Sequence, residues 1–328
     1  MQSTRSKLIE ILSSNHEDYA SGQRLSELLS ISRNAVWKHM KELEKDGYVI
    51  EAKPRKGYRI IKSPNKISTN TIRWGLETEW LGNEIIHKTS VGSTQLVGHE
   101  AAQNGAAHGT IIIADEQTAG RGRVQKNWDS NGDGIWMTII LRPNIPPNRA
   151  SELTLLTAVA ITKAIKKITN IDPLIKWPND ILIKEKKLCG ILTEMQAEQD
   201  QVQYILIGTG LNVNQSNQLW DKQLQNIATS LYQETGHTFE KHTLLQQILL
   251  QFERTYNNYM EHGFQPIKQQ WEANAFKIGS EIEITTFHEQ WVGKFLGISD
   301  EGALLAESSD GSPVKIYSAD IKWFSRPK

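Results

Sequence analysis

Apolar and polar positions change their spacing twice along the chain. In the first sixty residues, apolar side chains recur every three to four positions, which is the spacing of amphipathic helices, until two short β-branched runs flank a basic turn. Ser32 is placed to cap the third helix and Gly47 to end it. The pattern predicts helices over residues 6–12, 24–29 and 32–45 and strands over 48–52 and 58–61. Three helices followed by a hairpin are typical of a winged helix-turn-helix.

The middle of the chain mixes both spacings. Short apolar runs bounded by glycine or charge predict strands, and longer runs with a period near 3.6 predict helices. The predicted strands lie at residues 84–89, 109–114, 134–141, 181–183 and 204–214. The predicted helices lie at residues 68–80, 96–105, 151–168 and 243–260.

Beyond residue 276 the pattern becomes one of short strands separated by glycines. Four strands are predicted, over residues 281–286, 290–298, 303–307 and 313–317, and together they indicate a small β-barrel. A break in the pattern at residues 63–66 marks the first domain boundary. We therefore expect an α+β protein of three domains, covering residues 1–63, 64–275 and 276–328.

Composition narrows the class of protein. The 328 residues carry 37 Lys and Arg against 37 Asp and Glu, but residues 1–62 alone hold 12 basic against 8 acidic residues. The small first domain is therefore basic within a neutral chain. Cys189 is the single cysteine, which excludes an intrachain disulfide and a CxxC metal site. No apolar run is long enough to cross a bilayer, and a cytoplasmic protein without a membrane partner is expected.

The basic first domain is the predicted DNA-binding part of the molecule. In a winged helix-turn-helix the early residues of the third helix enter the major groove, and basic residues of the wing meet phosphates. The DNA-facing residues are then Ser32, Arg33, Asn34, Trp37 and Lys38 on the helix and Arg55 and Lys56 in the wing. A winged helix that binds protein, or serves only the fold, is the alternative interpretation.

Residues 120–128, GRGRVQKNW, concentrate the chemistry of the middle domain. Two glycines alternate with two arginines, so the backbone can turn sharply while guanidinium groups supply charge and paired donors for an anion. The loop joins two predicted strands, which excludes a Walker A loop and a dinucleotide fingerprint. A basic surface turn remains the alternative on spacing alone.

Three further clusters follow in the middle domain. They are KWPND at residues 176–180, KKLCG at 186–190 and GTGLNVN at 208–214. The first predicts a rigid turn between strands and the second a basic hairpin. The third is an apolar strand whose glycines either mark a bulge or let another group approach the backbone closely.

The four clusters, in this order after a winged helix, resemble the bifunctional biotin–protein ligase and biotin operon repressor family. The resemblance covers nearly the whole chain. It implies a central mixed-sheet α/β ligase domain like that of class II synthetases and a C-terminal SH3-like barrel. It also implies biotin and ATP as substrates, Mg²⁺ as companion of ATP with ligands that the sequence does not identify, and biotinyl-5'-adenylate as intermediate and corepressor. Implied partners are biotin carboxyl carrier domains, operator DNA and a second copy of the chain in a homodimer.

The resemblance also implies roles for individual residues. Lys187 and Arg123 would serve catalysis. Biotin would be bound by Ser93, Thr94, Gln95, Gln117, Arg121, Gly122, Arg123 and Lys187, and the adenylate by Trp128, Asp180, Asn212 and Trp220. Ser93 and Thr94 are equally suited to capping a helix, and Trp220 to an ordinary surface position. The C-terminal barrel would assist ATP and acceptor binding or serve stability alone.

This chain departs from the family pattern at two places. It has Gln95 where Asn is frequent, and it has residues 124–126, VQK, where further arginine is frequent. Two other functions stay open: a lipoate or octanoate transfer enzyme, for which the winged helix is unexpected, and a ligand-sensing repressor without catalysis, against which the presence of Gln117, Arg121, Arg123 and Lys187 argues.

Overall fold

The computed structural model describes residues 4–13, 19–62, 64, 66–73, 75–123, 126–130, 133–286 and 289–324. The helices are Thr4–Ser13 (α1), Gly22–Leu29 (α2), Arg33–Lys45 (α3), Thr69–Arg73 (α4), Thr94–Gln103 (α5), Ala150–Thr169 (α6), Leu231–Thr235 (α7), Lys241–His262 (α8) and Gln265–Ala273 (α9). The strands are Val49–Lys53 (β1), Gly57–Lys62 (β2), Ile85–Val91 (β3), Ile111–Gln117 (β4), Gly134–Leu141 (β5), Leu174–Lys176 (β6), Asp180–Ile183 (β7), Lys186–Glu198 (β8), Gln201–Asn212 (β9), Glu281–Thr285 (β10), Gln290–Ile298 (β11), Leu304–Glu307 (β12), Pro313–Ile316 (β13) and Asp320–Trp323 (β14).

The N-terminal domain is the predicted winged helix-turn-helix. Helices α1 to α3 pack on the antiparallel β1–β2 hairpin around a core of their own. The Ser32 hydroxyl accepts the Ala35 amide at 3.2 Å, so Ser32 caps α3 as predicted. Ser63 and Asn65 of the predicted linker lie outside the described residues.

The middle domain is built on a seven-stranded mixed sheet. The strand order is β3-β4-β5-β9-β8-β7-β6, with β3 and β4 parallel and the other neighbours antiparallel. The two faces bury different residues of the same strand: Ile112 packs in the small core beneath α5, while Ile111 and Ile113 face the main core with α6 and α8. Such alternation is what a two-sided sheet requires, and it confirms the predicted α/β domain.

One predicted helix is wrong. Residues 68–80 do not form a continuous helix, because α4 ends at Arg73 and Gly75 follows with φ +100°. The backbone amides of Glu79, Trp80 and Leu81 instead donate to the carboxylate of Glu253 on α8, at 2.8 to 2.9 Å. A buried carboxylate that accepts three amides stabilises an irregular turn, and its position 172 residues away in the sequence gives no local signal.

Replacing Glu253 with alanine is expected to lower the free energy of unfolding by about 3 kcal/mol, because three backbone amides lose their acceptor, one of them fully buried. Glu261→Ala on the exposed end of the same helix is the matched control and should cost little. Urea unfolding of both variants checks this. Equal midpoints would contradict the role of Glu253.

The C-terminal domain is a five-stranded antiparallel sheet in the order β13-β12-β11-β10-β14. Its four predicted strands are present. The fifth, β14, was not predicted, because four residues of mixed polarity carry too little pattern. Helix α9 also precedes this domain without having been predicted. The inner face of the sheet joins the main core through Phe295, Ile298 and Leu304, so the last two domains share one hydrophobic interior. No helix in the described ranges has the length and apolarity to cross a bilayer.

Candidate active site

A cavity of about 1490 Å³ lies between the loop after β4, the β7–β9 strands and the C-terminal sheet. Its lining residues come from residues 93–228 of the middle domain and from residues 285–321 of the last domain. The predicted residues that line it are Ser93, Thr94, Gln95, Gln117, Arg121, Gly122, Arg123, Trp128, Asp180, Lys187, Asn212 and Trp220. The structure thus brings together every residue that the resemblance assigned to biotin or the adenylate.

The GRGR loop forms a narrow turn over this cavity. The Gly122 amide donates to the Lys126 carbonyl at 2.7 Å, and the Trp128 amide donates to the Gly120 carbonyl at 2.9 Å. A β-carbon at residue 120 would lie 2.4 Å from the Trp128 carbonyl oxygen, so the turn closes only with glycine there. Val124 and Gln125 lie outside the described residues. The predicted link between two strands is confirmed.

Trp128 lies flat against two glycines of adjacent strands. Gly190 on β8 and Gly210 on β9 are register partners. A β-carbon at residue 190 would approach the indole to 2.9 Å and one at residue 210 would approach Nε1 to 2.4 Å. The second predicted explanation for the glycines of residues 208–214 therefore holds: they let another group approach the backbone closely. At Gly210 that group is the Trp128 ring, which is thereby held at the wall of the cavity, and at Gly208 it is the Gln95 side chain.

Lys187 connects the β7–β8 hairpin to this wall. Its Nζ lies 2.7 Å from Asp180 Oδ1 and 5.0 Å from the centre of the Trp128 ring. Its backbone pairs with residues 227 and 229, which places the ammonium between the hairpin and the segment after β9. The Lys187 side chain is a third exposed, so the ammonium can exchange its contact with Asp180 for one with a ligand anion.

The end of the cavity near Lys187 is positively charged. Burial lowers the pKa of the Arg123 guanidinium, and the carboxylates of Asp180 and Asp320 oppose the shift. Burial likewise lowers the pKa of Lys176, again against Asp180, while Lys187 adds repulsion. Burying these cations and holding them close together both cost free energy. An anion bound beside them would reduce both the desolvation cost and the repulsion. Lys176 was not predicted as a site residue, although it opens the KWPND cluster.

The opposite end of the cavity is polar and uncharged. Gln117 Oε1 accepts the Thr94 amide at 2.8 Å, and Thr94 Oγ1 in turn accepts the Thr138 hydroxyl at 2.9 Å. Ser93 caps α5 by accepting the Gln95 amide, and the same residue lines the cavity. Together these bonds hold the start of α5 against the end of β4.

One buried polar atom at that end lacks a protein partner. Within the described part of the chain, Gln95 Oε1 has no hydrogen bond, although the residue is 3% exposed. Gln95 Nε2 donates to the Leu192 carbonyl, and a β-carbon at residue 208 would touch its amide. An unpaired polar atom of this kind is costly unless a ligand satisfies it. Thr209, which also lines the cavity and was not predicted, turns its side chain to the opposite face of the sheet with its register partner Ile191.

The remaining predicted residues form the floor. Asn212 donates to the Thr229 carbonyl at 3.0 Å and ties β9 to the segment that follows it. Trp220 is 7% exposed and lines the cavity, so the surface position considered for it is wrong. The C-terminal sheet adds Thr285, Thr286 and Asp320 to the lining, and sequence reasoning had named none of them. Their separation from the central clusters by more than sixty residues explains the omission.

Cys189 takes no part in this chemistry. The side chain is fully buried, and burial raises the pKa of its thiol above its usual range. A thiol of this kind stays protonated and unreactive.

The predicted DNA-facing residues are exposed on the first domain. Ser32 caps α3, and Arg33, Asn34 and Lys38 are exposed on its first turns. Trp37 is 55% exposed, which is unusual for tryptophan and typical of a contact surface. Arg55 and Lys56 are exposed at the turn of the β1–β2 hairpin.

The chain is similar to known proteins over its whole length. Residues 4–59 match the model called HTH domain, residues 85–212 that of the Biotin/lipoate A/B protein ligase family, and residues 277–322 that of the Biotin protein ligase C terminal domain. Two relatives named "Bifunctional ligase/repressor BirA", from Bacillus subtilis and Bacillus spizizenii, are each 50% identical over 324 residues, covering 98% of this chain and 99% of the relative. The Escherichia coli relative of the same name is 26% identical, covering 96% and 97%.

The fold of this chain is also similar to that of a solved structure. The biotin protein ligase from Aquifex aeolicus in complex with biotin and ATP is 26% identical and covers 74% of this chain and all of its own, with a TM-score of 0.65.

Proposed function

The chain belongs to the bifunctional ligase/repressor family, and from this premise we propose the chemistry of its cavity. A carboxylate oxygen of biotin attacks the α-phosphorus of ATP, and pyrophosphate leaves with the electrons of the broken P–O bond. The product is biotinyl-5'-adenylate. The amine of an acceptor lysine on a biotin carboxyl carrier domain then attacks the acyl carbon; AMP leaves, the nitrogen loses a proton, and an amide remains.

One observation carries this proposal: cations converge at one end of a cavity whose other end is buried, polar and uncharged. Lys187 and Arg123 lie where negative charge develops as carboxylate and α-phosphate approach each other. Fixed positive charge in a desolvated site stabilises such a transition state. Arg121 and Gly122 close over the same reacting groups from the turn of the loop. Trp128, seated on Gly190 and Gly210, shields the mixed anhydride from water.

The biotin end follows from an unpaired atom. The ureido group offers a carbonyl acceptor and two N–H donors. Gln95 Oε1 is a buried acceptor without a partner in the described part of the chain. Ser93, Thr94 and Gln117 complete a polar rim around it. A ligand with both donors and an acceptor satisfies this set better than a saturated acyl chain.

The nucleotide end lies toward Asn212, Asp180 and Trp220. Buried Trp220 offers a ring to adenine, and Asn212 fixes the strand beneath it. Mg²⁺ sites commonly combine one or two carboxylates with substrate phosphates. The described residues contain no cluster of three or more metal-ligating acidic, histidine or cysteine side chains, but Asp180 and Asp320 stand beside the cations and fit that pattern. Bound there with ATP, Mg²⁺ would offset phosphate charge.

The test is incubation of the full chain with ATP, Mg²⁺, biotin and a biotin carboxyl carrier domain. Transfer of biotin to a lysine is expected, and replacing biotin by lipoate or octanoate should give little product. No transfer from biotin would reject the ligase assignment. Transfer of the two fatty acids in preference to biotin would support a lipoate-type enzyme.

We also propose that the adenylate is the corepressor. Its formation would order the GRGR loop and favour a homodimer, so that two winged helices could bind a two-fold operator. Operator DNA and ATP place this activity in the cytoplasm. Operator binding should rise when biotin and ATP are added together. Binding that ignores both would reject this role.

Removing charge from the DNA-facing surface should weaken binding and reduce its dependence on salt. We expect Lys38→Ala and Lys56→Ala each to lower the slope of log K against log salt by about 1, as the loss of one phosphate contact does. Lys45→Ala at the far end of α3 is the control and should leave the slope unchanged. Filter binding at several salt concentrations measures this. Equal slopes for all four proteins would favour a winged helix that does not contact DNA.

A further inference from the structure

Glu194 on β8 holds an arginine of the GRGR loop without itself lining the cavity. Its Oε1 lies 3.2 Å from Arg121 Nη2, and its Oε2 lies 3.1 Å from His99 Nε2. The second ring nitrogen of His99 is 3.2 Å from the Tyr204 hydroxyl. The carboxylate is therefore fixed from one side by α5 and β9 and meets the loop on the other.

The elements that hold Glu194 also form the cavity wall. Gln95 and His99 are one turn apart on α5, so they point to the same face of that helix. Gln95 donates to the Leu192 carbonyl, and His99 meets Glu194 two residues further along β8. Glu194 thus lies just beyond the wall that contains the unpaired Gln95 oxygen, on the same strand, and the helix and strand hold it in place.

The loop contacts β8 at two points. Arg121 meets Glu194 near the start of the loop, and Trp128 rests on Gly190 near its end. Four residues of strand, roughly 13 Å, separate these points. Arg123 lies in the loop between them and faces the cavity. Fixing both ends therefore sets the position of the guanidinium that would meet phosphate.

We propose that Glu194 is a positioning residue for the adenylate site: by holding Arg121, it keeps the GRGR loop over the bound intermediate. The proposal rests on the ligase function proposed above. A carboxylate that only competed with an anionic ligand for Arg121 would have the opposite effect on the bound intermediate. The two behaviours differ in the sign of one measurement.

That measurement is the rate at which preformed, radiolabelled biotinyl-5'-adenylate leaves the protein. In Glu194→Gln the shape is kept and the carboxylate charge is lost, so the contact with Arg121 falls from an ion pair to a hydrogen bond between a cation and a neutral amide. We expect release to become about 10-fold faster, equivalent to about 1.4 kcal/mol. Glu198→Gln, an exposed residue of the same strand, is the matched control and should release the adenylate like the wild type.

A double-mutant cycle separates positioning from general damage. If Glu194 acts through Arg121, then adding Glu194→Gln to Arg121→Ala should change the release rate by less than twofold. A full 10-fold effect in that background would overturn the proposal, as would unchanged or slower release in the single variant. If the wild type forms no adenylate, the ligase function itself fails. If it does and Glu194→Gln retains the adenylate equally well, only the positioning role fails.

Discussion

Lys187→Met is expected to slow adenylate formation by roughly 10²–10³-fold, the usual cost of removing one preorganised charge from a developing anion. Methionine keeps the unbranched stem over the Trp128 ring but removes the ammonium, which lies 2.7 Å from Asp180 Oδ1. Asp180 then adds uncompensated negative charge to the place where carboxylate and phosphate must meet. The loss of the ammonium and the remaining charge of Asp180 both raise the barrier to adenylate formation.

Single-turnover release of pyrophosphate measures this step without the later transfer. Lys184→Met is the matched control, because that lysine is on the same hairpin, is largely exposed and pairs with Glu234 outside the lining of the cavity. A Lys187→Met rate within threefold of the wild type would contradict the assigned role. Unchanged biotin binding together with the slow step would show that the loss is one of charge stabilisation.

Gly210→Ala is expected to shorten the lifetime of the bound adenylate by roughly 100-fold, since misplacement of a site group by about 1 Å can cost that much. The new β-carbon would lie 2.4 Å from Trp128 Nε1, so the ring must leave the wall that Gly190 and Gly210 form. Water then reaches the mixed anhydride.

Hydrolysis and release of labelled adenylate, followed together with tryptophan fluorescence, check the prediction. Gly92→Ala is the control, because an added β-carbon there meets no atom within 4 Å and its φ is not in the left-handed region. In a Trp128→Ala background the Gly210→Ala change should have no further effect. A retained adenylate in Gly210→Ala would show that Trp128 does not shield the intermediate from this position.

Local pattern predicted most elements correctly, for a physical reason that is visible in each. Helix α3 has an N-cap serine, buried residues at helical spacing and a glycine after its end, so its own residues specify where it begins and ends. Strand β5 is buried along its whole length and apolar except for Thr138, because both of its faces are covered. Residues 68–80 lack such local signals. The backbone amides at the end of this segment bond to Glu253, which only the tertiary fold brings near.

The same division holds for the site. The types of residue needed for anion binding stand together in the chain as GRGR, KWPND and KKLCG, and the residues that the resemblance assigned to biotin or the adenylate all line one cavity. Spacing alone left the loop equally compatible with a basic surface turn. The cavity, which Arg121 and Arg123 line together with Lys176 and Lys187 from other elements, favours an anion site.

The sequence by itself determined the three-part architecture, the basic character of the first domain and the motifs of the ligase site, because each depends on residues that are close in the chain. Only the tertiary structure decided what Gly190 and Gly210 accommodate, that Lys176 is desolvated beside Lys187, and that Glu194 holds Arg121. Each of these depends on distances between distant strands and loops. Such distances are set by sheet register and core packing, which no single stretch of sequence encodes.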